Sequence, residues 1–356
     1  MEVSIWEQLT KERVLAGIKA TKESELGVRR TPLLEIDGRQ SELVKSLGLR
    51  KLYLKLESLQ VGGSFKARGI ASFLAAHGHT PGHTPDSSAS LRGRRFVTMS
   101  AGNFGRTFSL ACGRLGCALV VLMPEDVPEE RVAAVRGHGA AVELLPRTGL
   151  QARVDALVAR EGMVYAHPFD DLDLIAGYAS LLAELEEDLQ AAGEDAVDLL
   201  LTGVGGGGLM SGLMAASRLL MRGNGGPLGA VEIVGVEPEG ACAMHQSLQQ
   251  GRPVALQSIH SFVNGLSAPF AGENCFRVAS SSCARVLLVT DDSVRAAMRV
   301  LTAEFRLLVE SSGAAPLAAL CALQKEELEG KSVCLVISGG NISIDELSSI
   351  LSTKGC

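Results

Sequence analysis

A chain of 356 residues, 46% of them hydrophobic, is long enough to form two domains with sizeable cores. Its formal net charge of −6 and pI near 5.7 argue against nucleic acid or an anionic membrane as the main partner. Glycine is in excess, 40 residues or about 11% against a usual share of about 7%; with only 12 prolines and no Gly-X-Y repeat, collagen and disorder are both excluded.

In chain order, Met1 to Ala20 mixes charged and apolar residues and shows no secretory signal, so a cytoplasmic protein is expected. The eight cysteines, none spaced C-x-x-C, read as thiols of a reducing compartment. Lys51 to Leu56 alternates as a strand, and Gly62-Gly63-Ser64-Phe65-Lys66-Ala67-Arg68-Gly69 follows it, with Ser64 expected as a helix N-cap and Lys66 in the first helical turn. Residues 77–94, with His77, His79 and His83 among Gly, Pro and Ser, read as a surface insertion rather than a metal site, and Arg92, Arg94 and Arg95 as a solvated face of that loop. Phe96 to Met99 forms a strand that leads through Ser100-Ala101-Gly102-Asn103-Phe104-Gly105 into a helix from Asn103 to Leu115. Ala118 to Met123 and Ala141 to Leu145 are further strands, and Pro128 opens a helix between them. Leu199 to Ser217 carries no charge, but its glycines would melt a membrane helix, so it divides into a strand ending at Thr202, a loop from Gly203 to Leu209, and a helix running to Met221. Val231 to Val236, Val286 to Thr290 and Val333 to Ile337 complete the strands, the last followed by Ser338-Gly339-Gly340-Asn341. This alternation predicts an α/β protein with mostly parallel twisted sheets flanked by helices, whose ligands sit in the loops after the strands.

Four of those loops hold unusual residues. At a helix amino end Lys66 opposes the helix dipole, which, with burial, lowers its pKa and makes the amine more nucleophilic; the alternative is a surface lysine on a flexible loop. The Ser100–Gly105 turn offers free N–H groups to a carboxylate or phenolate, or is an ordinary N-cap. Gly205 to Gly208 lets consecutive amides converge on a phosphate, although Gly203-x-Gly205-x-x-Gly208 with Glu237 beyond it also spells a dinucleotide fingerprint. Ser338 could hydrogen-bond a ring that approaches Gly339 and Gly340 closely; read alone, that segment is a turn.

Together the loops resemble the pyridoxal-phosphate enzymes of the threonine/serine dehydratase and serine racemase family, of the fold type II (tryptophan-synthase-β-like) class. The resemblance runs from Thr31-Pro32-Leu33 to Asn341. It takes in Ser-Phe-Lys-x-Arg-Gly, Ser-Ala-Gly-Asn, His167-Pro168-Phe169-Asp170-Asp171, Ile175-Ala176-Gly177, the four-glycine loop, Gly235-Val236-Glu237-Pro238, Ser312-Gly313-Ala314 and Ser-Gly-Gly-Asn. It disposes of the dinucleotide alternative. It implies pyridoxal 5'-phosphate bound as a Schiff base to Lys66 beside Phe65, with its phosphate on Gly205, Gly206, Gly207, Gly208 and Leu209. Asn103 would touch the ring hydroxyl, Ser338 would face the pyridine nitrogen, and Gly265 would also belong to the cofactor site. Substrate, a small amino acid, would place its carboxylate on Ser100, Ala101, Gly102, Asn103 and Phe104, and Lys66 would remove the Cα proton. The implied reaction is ammonia loss from a β-hydroxy L-amino acid such as L-threonine or L-serine; the alternatives are an amino-acid racemase, a hydroxyaspartate-type lyase, or a non-catalytic binding protein.

The resemblance further implies a homodimer and two domains, residues 1–90 with 167–356 holding the cofactor and residues 91–166 forming a small mobile substrate domain. The pattern also departs from the family. Ala101 stands where racemases have a second Ser, which predicts weak racemisation; Phe104 replaces His, Tyr178 replaces Gln, and Asn264 replaces Asp. Of the divalent-cation site (Mg or Ca) Glu237 remains, but Ala243 stands where an acid is needed. The chain ends at Cys356, so the regulatory domain of biosynthetic relatives, and feedback through it, are not expected.

Overall fold

The computed structural model describes residues 3–39, 41–78, 91–194 and 196–352. Ten strands alternate with helices: β1 (Leu33–Ile36), β2 (Lys51–Lys55), β3 (Arg95–Met99), β4 (Ala118–Pro124), β5 (Ala141–Leu145), β6 (Val164–Tyr165), β7 (Leu199–Gly203), β8 (Glu232–Pro238), β9 (Arg285–Val289) and β10 (Ser332–Val336). They form a six-stranded sheet in the order β1-β2-β10-β7-β8-β9 and a four-stranded sheet in the order β5-β4-β3-β6. Among the described residues every pairing of these strands is parallel except that of the edge strand β1 with β2.

The sequence explains which strands are central. β7 (LLLTG) and β10 (SVCLV) are buried at every residue, as strands of a parallel sheet covered by helices on both faces must be. β10 pairs with β2 on one side, Val333 opposite Leu52, and with β7 on the other, Val333 opposite Leu199. Three parallel neighbours therefore end side by side, and the segments that follow them leave from one edge of the sheet. The Lys66–Gly78 helix lies across the Leu172–Ala192 helix, where a Cβ on Gly177 would come within 2.5 Å of the Arg68 carbonyl oxygen, so glycine alone permits that approach. The core around these helices reaches the four-stranded sheet through Phe73, Phe96 and Phe108, whose rings contact one another edge-on or tilted at 5.6–6.0 Å.

Several sequence expectations shift. Ser64 does not cap the helix that begins at Lys66: it is extended, pairs antiparallel with Gly339, and its hydroxyl accepts no hydrogen bond from the described residues. Arg95 starts β3 and pairs with Glu161 instead of belonging to the loop before it. Leu199 to Ser217 is β7, a glycine turn and the Gly208–Ala216 helix, and no helix of the described residues is long and apolar enough to cross a membrane. Of the histidine-rich stretch, His77 closes a helix against Phe73, and residues 79–90 lie outside the described residues.

Candidate active site

Lys66 is the first residue of its helix, and its Nζ donates to the Pro168 carbonyl at 2.9 Å. Three aromatic rings surround the amine, with centroids at 4.9 Å (Phe65), 5.6 Å (Phe104) and 5.7 Å (Tyr178). Desolvation in this apolar surround lowers the amine to about 8, and Cys275 and Glu310 oppose the fall. The chain here is fixed by its neighbours: the Phe65 N–H donates to the Ser338 carbonyl at 3.1 Å, and the Arg68 guanidinium is buried between Glu57 at 2.7 Å and Glu184 at 3.0 Å.

The structure brings the four loops together. Asn103 begins its helix, with Gly102 extended before it and the Ser100 hydroxyl accepting the Gly105 N–H at 3.1 Å. The Asn103 side chain donates to Glu310 at 2.7 Å and accepts from Asn341 at 2.8 Å; Asn341 also donates to the Gly62 carbonyl at 2.8 Å. Glu310 further accepts from the Ser312 hydroxyl at 2.5 Å, and burial raises its carboxyl above the ordinary carboxylate range against those two bonds. A Cβ on Gly339 would collide with Glu310, and one on Gly265 would lie 2.6 Å from the Ser312 hydroxyl, so both strip their backbone bare beside the same carboxyl group.

The glycine loop closes the far side. A Cβ on Gly205 would lie 3.2 Å from the Gly265 carbonyl, one on Gly206 would collide with the Phe169 ring, and one on Gly208 would come 2.6 Å from the Phe169 carbonyl. Gly207 adopts φ +103° as the residue before the Gly208–Ala216 helix, a left-handed conformation that favours glycine, and the loop ends at that helix's positive end. Leu209 anchors the turn in the core. The Ser64, Tyr178 and Thr202 hydroxyls, all buried, have no hydrogen-bond partner among the described residues.

Glu237 takes no part in this convergence. Its carboxylate accepts the N–H groups of Met244 at 2.9 Å and His245 at 2.8 Å at the start of the Ala243–Gln250 helix, while burial pushes it up to about 8. Among the described residues no three His, Cys, Asp or Glu side chains converge as metal ligands do. Ala101 offers only a methyl group beside Gly102.

Sequence reasoning passed over Glu310, the hub of this network. It lies between Val309, the last apolar residue of its run, and a helix opening at Ser311, and its partners Asn103 and Asn341 are remote in sequence, so no local pattern marked it.

A family model for pyridoxal-phosphate dependent enzymes matches residues 24–339. The chain is 33% identical over 326 residues to an L-threonine ammonia-lyase of Geobacter sulfurreducens, covering 91% of this chain and 74% of the relative. It is 34% identical over 329 residues to a phenylserine dehydratase of Ralstonia pickettii, covering 92% of both. The crystal structure of serine racemase from Dictyostelium discoideum superposes with a TM-score of 0.78 at 28% identity, covering 96% of this chain and 99% of that one.

Proposed function

Because the chain belongs to the pyridoxal-phosphate-dependent enzyme family, we propose that it is an ammonia-lyase that converts a β-hydroxy L-amino acid, such as L-threonine or L-serine, into a 2-oxo acid and ammonia. The observation that carries this reading is the desolvated Lys66 amine at the meeting point of four backbone-lined loops.

The residues present fit the cofactor. Bare amides at the start of the Gly208–Ala216 helix suit a phosphate, and no side chain could occupy Gly206 or Gly208 without displacing Phe169. Bound there, the cofactor supplies an aldehyde for the substrate amine and a ring that draws electron density from Cα. Lys66 Nζ, poised near the working pH, takes the proton from Cα as general base. The Ser100–Phe104 loop would hold the substrate carboxylate on its backbone amides, and Asn103, fixed by Glu310 and Asn341, would be positioned toward the cofactor. Ser338 would offer the cofactor's ring nitrogen a hydroxyl, which, unlike a carboxylate, would not keep that nitrogen protonated and would favour elimination of the β-hydroxyl. The unit built on the four-stranded sheet, residues 91–166, brings the carboxylate cradle to the larger unit and closes over the substrate. The reading calls on no divalent cation: Glu237 is occupied in capping the Ala243–Gln250 helix, and Ala243 stands where a further acid would be needed.

The lining also bears on substrate choice. The Phe65, Phe104 and Tyr178 rings around Nζ favour an apolar β-substituent over the second carboxylate of a hydroxyaspartate.

The test is direct. Borohydride reduction of the protein loaded with pyridoxal phosphate is expected to leave a pyridoxyl group on the Lys66 peptide, and L-threonine, L-serine or phenylserine to yield keto acid. Lys66→Ala is expected to give neither adduct nor product. A wild-type protein that takes up no cofactor on Lys66, or that takes it up and turns over none of these amino acids, overturns the proposal.

A further inference from the structure

Tyr178, which stands where the family usually has Gln, lies in the Leu172–Ala192 helix, yet its ring is wedged between the first turns of two other helices. On one side, a Cβ on Gly69, three residues into the Lys66 helix, would come 2.5 Å from Cζ and 2.9 Å from the hydroxyl oxygen. On the other, a Cβ on Gly208, the first residue of the glycine-loop helix, would come 3.3 Å from Cε2. The Phe65 ring meets the tyrosine edge-on at 5.0 Å and fixes its plane. Tyr178 is fully buried, and its hydroxyl has no partner among the described residues. The buried Tyr53 and Tyr165 hydroxyls also lack a partner among the described residues, but the Tyr178 ring is the one set against the first turns of the Lys66–Gly78 and Gly208–Ala216 helices, whose positive ends favour an anion.

We propose that Tyr178 donates its hydroxyl to the phosphate of the bound cofactor, adding a side-chain donor to the amides of Gly205–Leu209. This rests on the reading of Lys66 and the glycine loop given above. Burial holds the phenol well above its ordinary value, so the hydroxyl is a donor throughout the working pH range. Gly69 and Gly208, both part of the motifs shared with the family, leave room between the helices for the tyrosine ring.

The experiment compares pyridoxal phosphate with pyridoxal, which keeps the aldehyde and lacks the phosphate. Affinities of both for the cofactor-free full chain are measured by absorbance titration in the wild type and in Tyr178→Phe. The expected result is a loss of about ten- to a hundredfold for pyridoxal phosphate with pyridoxal unchanged, the size of one hydrogen bond to a charged group. Equal loss for both ligands, or loss for neither, overturns the proposal. A wild type that binds neither ligand at Lys66 refutes the functional reading itself, whereas wild-type binding with an unaltered ratio refutes only the role of Tyr178. A second measurement leaves the packing intact. The chain has three tyrosines, so 3-fluorotyrosine labelling gives three fluorine resonances, with Tyr53 and Tyr165 as internal references. The Tyr178 resonance is expected to shift further with pyridoxal phosphate than with pyridoxal, and an identical shift with both counts against the bond.

Discussion

Lys66 sets the pH behaviour of the site. Its amine is lowered to about 8 by desolvation, from an ordinary 10.5, so between those values the unfolded chain holds a proton that the folded chain has released. Stability of the cofactor-free protein attributable to this residue is therefore at its lowest below pH 8, and rises with pH across that window. Urea midpoints at pH 7.5 and pH 10 are expected to diverge between wild type and Lys66→Met, the wild type gaining relative to the variant at the higher pH; parallel midpoints would show that the amine is not desolvated. The neighbouring loop makes a second residue-level claim. Ala101 has no exchangeable proton, so wild-type conversion of L- to D-serine is expected to be slow, and Ala101→Ser to raise it by about a hundredfold, the scale of one positioned acid. A chiral assay that finds the variant no faster removes that position from the argument.

The Lys66–Gly78 helix is held by charge as well as by apolar contact. Arg68, almost wholly buried, bridges Glu57 and Glu184, and Lys55 reaches Glu184 and Asp188 at 2.7 Å each from the strand behind. Arg68→Met leaves buried Glu57 without its cation and Glu184 with Lys55 alone, at a cost of about 3–5 kcal/mol read by urea unfolding; a smaller change would mean that water reaches the cluster. The motif around Lys66 was legible in the sequence because the chemistry is contiguous there, and strands such as β7 and β10 were legible because burial on both faces leaves unbroken apolar runs. Arg68's partners were not legible, since Glu184 is 116 residues away, and Ser64 misled because its strand-like pairing with Gly339 exists only once β10 has been inserted beside β2. Local chemistry writes itself into adjacent letters; long-range pairing does not.

Across the whole molecule, placing β10 between β2 and β7 joins the two ends of the chain into one sheet and lines up the segments that receive a cofactor, while the Asn103 loop arrives from the other sheet. Besides the apolar core, the join between the two at the site is polar and specific. Asn341, from the β10 end, donates to Asn103, and Asn103 donates to Glu310. If the smaller unit closes on the substrate, this chain of bonds is what sets its closed position. Asn341→Ala would free the Asn103 amide oxygen, so the carboxylate cradle would spend less time aligned with Lys66. The amide lost is one hydrogen bond, so kcat/KM for the amino acid is expected to fall by about tenfold, mainly through KM. On the proposed reading, in which Lys66 and the glycine loop hold the cofactor, its binding is expected to be as in the wild type, with an unchanged visible spectrum. A variant that loses cofactor and thermal stability together, with KM unmoved, would show that Asn341 props up the fold around Gly62 and has no hold on the position of the second sheet.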